Sequence, residues 1–216
     1  MAFLENTLHP EIESQKICDV SWEHNPHEIR KNLEEAVYSS PRLLDDFSTR
    51  IVLFDPNTLF FPTEIVETTP DMDLEKVYCD IFGGEPTDVM TGGDKDITAA
   101  WAMNPGIRNF LYRTFPGARI TCNLLEKVRN YRNEGSELRL VIDCRNVEAD
   151  LILFQGPDLI SASTHNWRHP DDVAYLSLNL LDVYGRKLED LQINVQGLET
   201  ESDAWEIIKK RCLAFQ

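Results

Sequence analysis

Three short apolar runs lie close together in the second half of the chain, at residues 138–142, 149–154 and 159–163. Each is of strand length and rich in Leu, Ile and Val. The breaks between them carry turn formers: Asp143, Arg145, Asn146 and Glu148 in the first, Gly156, Pro157 and Asp158 in the second. Turn residues between short apolar runs predict an antiparallel meander of three strands. Pro170 then opens a helix to Tyr184, with Val173, Leu176, Leu180 and Leu181 as its apolar stripe and Gly185 after its end. A strand over 191–195, a helix over 202–211 and a closing strand over 212–215 complete this half.

The first half reads less regularly. Residues 1–16 show no sustained period and are expected to be weakly structured; 17–22 has strand length. Pro26 starts a helix to Tyr38 with Ile29, Leu33, Ala36 and Val37 on one face. Apolar runs at 50–54 and 58–61 flank Asp55, Pro56 and Asn57, which predicts a hairpin. A short helix through Ile65 and Val66 follows. A second helix, with Leu74, Val77, Tyr78 and Ile81 on one side, is closed by Gly83 and Gly84. Residues 87–91 and 97–103 predict another hairpin around Gly92, Gly93 and Asp94. Pro105 starts a helix carrying Ile107, Phe110, Leu111 and Phe115. A strand at 118–122 and a helix with Leu124, Leu125 and Val128 lead into the meander.

The second half therefore runs β-β-β-α-β-α with a final β. The first half has a similar order that starts late. Alternating elements of this kind predict a mixed α/β protein of two lobes. The division is a weakly structured 1–16, a first lobe with inserted elements over 17–135, and a second lobe over 136–216.

At 216 residues the chain can bury a full core without metal or disulfides. Composition changes the picture at one point: 37 acids against 21 bases give a net charge of −16. A nucleic-acid binder needs a basic face, and an anionic membrane surface repels such a chain. Neither partner is expected. Five widely spaced cysteines form no CxxC, which fits thiols in a reducing cytoplasm. The opening residues hold acids and Pro10 where a signal peptide would need an apolar core, and no run reaches the length of a spanning helix.

The order of elements resembles the actin-like (ribonuclease H-like) ATPase fold, in which two lobes of the form β-β-β-α-β-α-β clasp a nucleotide. The segments 50–62 (RIVLFDPNTLFFP), 115–119 (FPGAR), the meander, and 170–184 followed by 191–197 resemble a bacterial family of uncharacterised proteins with that fold. More remotely, the fold is shared with actin-like proteins of pilus assembly and secretion that act as scaffolds. Family members usually open with a hairpin before the segment that matches 17–22. Residues 1–16 read without one, so the first lobe is expected to lack its first two strands. An open sheet edge would follow, and pairing with a partner protein or a second copy.

The resemblance also locates nucleotide residues, if a nucleotide binds: Asp143, Arg145 and Gly197. In active members an Asp is followed by several glycines, whose lack of a β carbon lets backbone N–H groups approach phosphate. Here Asp143 is followed by Cys144, Arg145, Asn146, Val147 and Glu148, with no glycine, and Glu148 would repel phosphate. The adenosine-side turn keeps Gly197 alone. Asp143 reads better as a turn residue than as a magnesium partner. Catalytic and metal-ligating residues are expected to be absent, and so are cofactors, ATP and magnesium entering only under the alternative. His24 with His27, and His165 with His169, sit before Pro-initiated helices and read as loop histidines for want of a third ligand of diagnostic spacing. Asp45 and Asp46, and Asp171 and Asp172, read as helix-end charges.

The function expected on this basis is that of a non-catalytic, cytoplasmic actin-like scaffold or interaction protein. The alternatives are a divergent ATP-binding enzyme, ATPase or sugar-kinase-like, and a small-molecule sensor using the cleft between lobes.

Overall fold

The structure, a computed structural model, describes residues 2–6, 15–18, 26–39, 49–53, 57–132, 135–186, 191–198 and 202–213. Two compact units divide the chain, Met1–Glu126 and Lys127–Gln216.

In chain order the first unit holds β1 (Ala2–Asn6), β2 (Gln15–Cys18), α1 (Pro26–Tyr38) and β3 (Thr49–Leu53). An insert follows: β4 (Thr58–Pro62), α2 (Thr63–Thr68), α3 (Leu74–Phe82), β5 (Val89–Gly93), β6 (Ile97–Ala102) and α4 (Pro105–Thr114). Then come β7 (Arg119–Cys122) and α5 (Asn123–Tyr131), within which the division falls.

The main sheet has the order β2-β1-β3-β7. The expectation of an unstructured 1–16 is corrected here, and that of a first lobe lacking its first two strands is corrected in part, since one described strand, β1, precedes β2, which overlaps the 17–22 segment. β1 and β2 are an antiparallel pair, and β1 also lies antiparallel to β3 from Ala2↔Leu53 to Asn6↔Thr49. The second partner is more than forty residues away in the chain, so the pairing leaves no local pattern to read. A second correction concerns β4. The turn at 55–57 suggests a hairpin with β3, but β4 pairs with β6 in a separate sheet of order β4-β6-β5.

Alternation along β6 explains why the insert needs both of its layers. Ala99 and Trp101 point into the main core with Met103, beside Ile51, Phe110 and Leu125. Ala100 points the other way, where Tyr78 of α3 and Val89 of β5 cover it. The Tyr78 hydroxyl donates to the Asn57 carbonyl at 3.0 Å, which pins α3 to the start of β4. Asn104 caps α4, accepting from the backbone N–H groups of Gly106 and Ile107, with Pro105 pre-set for the first turn.

The second unit contains β8 (Leu138–Cys144), β9 (Glu148–Gln155), β10 (Asp158–Asn166), α6 (Pro170–Val183), β11 (Leu191–Gln196) and α7 (Asp203–Leu213). Its sheet has the order β10-β9-β8-β11, with β8 and β11 parallel. One face, from Leu140, Ile142, Leu151 and Leu153, packs with Val173 and Leu181 of α6 and Ile208 of α7. Because α7 runs to Leu213, the closing strand expected from 212 is corrected to helix at its start; 214–216 lie outside the described residues. The expected strand at 17–22 is covered only by Ile17 and Cys18 of β2, since 19–22 also lie outside.

Compared strand by strand, the second sheet runs third-second-first-fourth in chain order. In the first, β2 and β1 take the places of β10 and β9, and β3 lies beside β1 as β8 lies beside β9.

A capping box starts α6. The His169 ring nitrogen accepts from Asp171 N–H, and Asp172 returns to the His169 N–H at 2.9 Å and the Arg168 N–H at 3.0 Å. Those two backbone hydrogen bonds hold the Asp172 carboxyl below its ordinary value. Asp171 and Asp172 are therefore helix-end charges, as their place in the first turn suggests.

Candidate functional site

β8 and β9 are in register with Asp143 directly opposite Asp150. Two like charges on facing positions repel and destabilise a sheet. Asp150 is in addition completely buried, with Ala149 before it and the apolar run Leu151 to Phe154 after it. A buried carboxylate is tolerated only when paired and hydrogen-bonded. The chain supplies its counter-ion from α5: the Lys127 ammonium lies 2.7 Å from Asp143 Oδ2 and 2.6 Å from Asp150 Oδ2, bridging the two. The other Asp150 oxygen accepts from Arg145 Nη2 at 2.8 Å and from the Thr164 hydroxyl at 2.6 Å. Arg145 also reaches Glu148 at 3.3 Å.

Around this centre the groups are held from three sides. The Tyr131 hydroxyl, also on α5, lies 2.5 Å from Gln196 Oε1 and 3.3 Å from Asp143 Oδ2, and its single proton serves one acceptor at a time. Arg139 donates to the Tyr131 carbonyl at the end of the helix, where a cation is favoured. Trp167, which follows β10, closes the β8–β9 turn: its indole N–H donates to the Arg145 carbonyl at 2.9 Å, and its backbone N–H to the Val147 carbonyl at 2.9 Å. Inside the turn the Arg145 N–H donates to the Glu148 carbonyl at 2.7 Å.

Gly197 completes the arrangement. It has φ +77°, and a β carbon placed there would sit 1.9 Å from the Cys144 carbonyl oxygen and 2.9 Å from Asp143 Oδ1. The turn after β11 thus rests directly on the end of β8. The structure brings Asp143 and Gly197 together and places Arg145 on the neighbouring Asp150, each with an intramolecular partner. Sequence reading missed Lys127, Tyr131 and Asp150. The available signal was a lone acid within the apolar run 149–154.

Titration follows from this packing. Burial first, and then the Asp143 carboxylate, push the Tyr131 phenol up to about 12. Burial and the same two aspartates push the Cys144 thiol up to about 11. A raised acid of this kind is held in its neutral form by the fold. Its contribution is complete below the unfolded value, about 10 for Tyr, and is lost as pH rises towards the folded one. Stability measured by urea unfolding is therefore expected to hold to about pH 9 and fall from there to about pH 12. In Tyr131→Phe the Tyr-linked part of that fall, above about pH 10, should disappear.

The two histidines whose side chains are described, His165 and His169, have separate partners. His165 Nε2 is 2.8 Å from the Ser163 hydroxyl on β10, and burial lowers its pKa against the opposing pull of Asp150; His169 caps α6. No group of three or more His, Cys, Asp or Glu is placed to hold a metal among the described residues. The His24 site and the Asp45–Asp46 pair lie outside them, as does the side chain of His27. No helix of the described residues is long and apolar enough to cross a membrane.

Two mixed sheets flanked by helices, the second with a β-β-β-α-β-α order, define the class: a protein of actin-like ATPase fold. A crystal structure from Bacteroides thetaiotaomicron VPI-5482, described as a protein with actin-like ATPase fold and unknown function, is similar with a TM-score of 0.72 at 14% identity. The match covers 94% of this chain and 80% of that one. The chain belongs to the family described as "Protein of unknown function (DUF3822)", whose model matches residues 6–211. No curated protein matches the sequence.

Proposed function

We propose that this protein is a non-catalytic actin-like scaffold or protein-interaction protein of the bacterial cytoplasm. The observation that carries the reading is the bridging Lys127 ammonium. Asp143 and Asp150 spend their charge on a cation of the chain itself, where a nucleotide site would need a carboxylate for hydrated magnesium. Two features support it. The β8–β9 turn has a β carbon at every position from Asp143 to Glu148, and Gly197 is packed against the Cys144 carbonyl with no space between them. Asp143, Arg145 and Gly197 then serve to lock the end of β8 rather than to receive a phosphate.

Melting with and without millimolar ATP and magnesium tests this. A ligand at about 100 times its dissociation constant adds about 2.7 kcal/mol, a clear upward shift in Tm. The expected result is no shift. An upward shift with ATP and magnesium, absent with magnesium alone, would overturn the reading and restore the enzyme.

A further inference from the structure

The insert between β3 and β7 carries an unbalanced charge. Residues 63–88 hold eight acids and one base, Lys76. Within this stretch α3 buries Leu74 and Tyr78, and Tyr78 packs on the small sheet. Its last turn leaves Ile81 58% exposed and Phe82 41% exposed. Asp80 lies beside them and is exposed, as are Gly83, Gly84 and Glu85 directly after the helix.

Charge and exposed apolar surface meet at this end of the helix. The C-terminus of a helix carries a partial negative charge and favours Lys, Arg or His there. α3 has no base in its last turn and places Asp80 in it. Glu85, Asp80 and Asp88 come close enough that, after burial, they raise the pKa of the Cys79 thiol, with Glu85 the strongest of the three. These carboxylates and the helix C-terminus are of one sign. Part of the Phe82 ring packs on Tyr78, with centroids 5.0 Å apart, while the rest of it and the adjacent Ile81 face outward; large apolar side chains rimmed by charge are the composition of a contact surface.

We infer that the C-terminal end of α3, with Ile81 and Phe82 at its centre and Asp80 and Glu85 at its rim, is a docking surface for a basic amphipathic helix of a partner protein. The apolar stripe of such a helix covers Ile81 and Phe82, and its Lys or Arg residues complement the carboxylates and the helix terminus. This deepens the interaction-protein reading and rests on it. Nucleic acid and anionic membrane are repelled by the same charges.

Fluorescence anisotropy on the full chain tests it, with an 18-residue peptide carrying Leu and Lys at helical spacing as the probe. A second peptide of equal charge has Ser in place of Leu. The Leu–Lys peptide should bind the natural chain at least tenfold more tightly than the Ser–Lys peptide. Ile81→Ser with Phe82→Ser, and Asp80→Lys with Glu85→Lys, should each weaken it about tenfold. Tyr175→Ser, an equally exposed change on α6, should leave it unaltered. All changed positions are exposed, and circular dichroism checks that the variants fold. No binding to the natural chain, equal binding by both peptides, or equal binding by all variants overturns the docking surface. None of these results bears on the ATP test, so the two readings fail separately.

Discussion

Lys127→Met is expected to destabilise the second unit by about 3 kcal/mol, since removing one partner of a buried pair typically costs 3–5 kcal/mol. The value should lie at the low end because Asp150 keeps Arg145 and Thr164. Two things are lost together: one of the cations on a completely buried carboxylate, and the ammonium that bridges two aspartates facing each other across β8 and β9. Denaturant unfolding followed by tryptophan fluorescence, to which Trp167 against the core of this unit contributes, is the measurement. Methionine keeps much of the lysine volume, so the loss reports charge rather than a cavity. The decisive comparison is the double variant Lys127→Met with Asp150→Asn. Neutralising the stranded acid should recover part of the loss, so the two effects combine to less than their sum. Additive losses would mean that the ammonium and Asp150 do not act as a pair.

Gly197→Ala should cost about as much by a different route. A positive φ already disfavours any other residue by about 1–2 kcal/mol. The new β carbon would also lie inside the Cys144 carbonyl, which is backbone and cannot swing aside. To relieve it, the turn after β11 must lift from β8, and the Tyr131–Gln196 contact lifts with it. A loss of about 3 kcal/mol is expected in the same unfolding measurement. Gly185→Ala is the control. It has a similar φ of +60° but nothing within 4 Å of the added carbon, so it carries the backbone strain alone. Equal losses at the two positions would show that close packing at Gly197 contributes nothing.

Much of the architecture was readable because it is local. Pro26, Pro105 and Pro170 each open a helix as the first-turn preference predicts, and Gly83 and Gly185 follow helix ends with positive φ. The meander is three runs joined by short turns, so adjacent sequence is adjacent structure. What was not readable depends on partners far along the chain. β1 is five residues long and makes one of its pairings with β3; nothing within 1–16 announces that. The turn at 55–57 announces a change of direction but not that β6, rather than β3, completes the pair. At the site the same limit applies more strongly. Asp143, Arg145 and Gly197 were singled out by the resemblance to the actin-like fold. Lys127 and Asp150, twenty-three positions apart, follow no motif spacing and are joined only once α5 lies against the sheet.

The placing of the insert has a consequence for the order in which the chain folds. β8, β9 and β10 are joined by turns of a few residues, whereas β3 and β7 are parallel neighbours separated by about sixty-five residues. By loop-closure entropy, bringing β3 and β7 together costs about 2.7 kcal/mol more than closing a three-residue turn. Local contacts of this kind form early and distant ones late. The meander is therefore the natural early nucleus, and the first sheet closes only after β4, β5, β6 and α3 have shortened the path between its strands. Slow refolding should originate in the first unit, and loosening the insert should slow it further while leaving the meander's own rate unchanged.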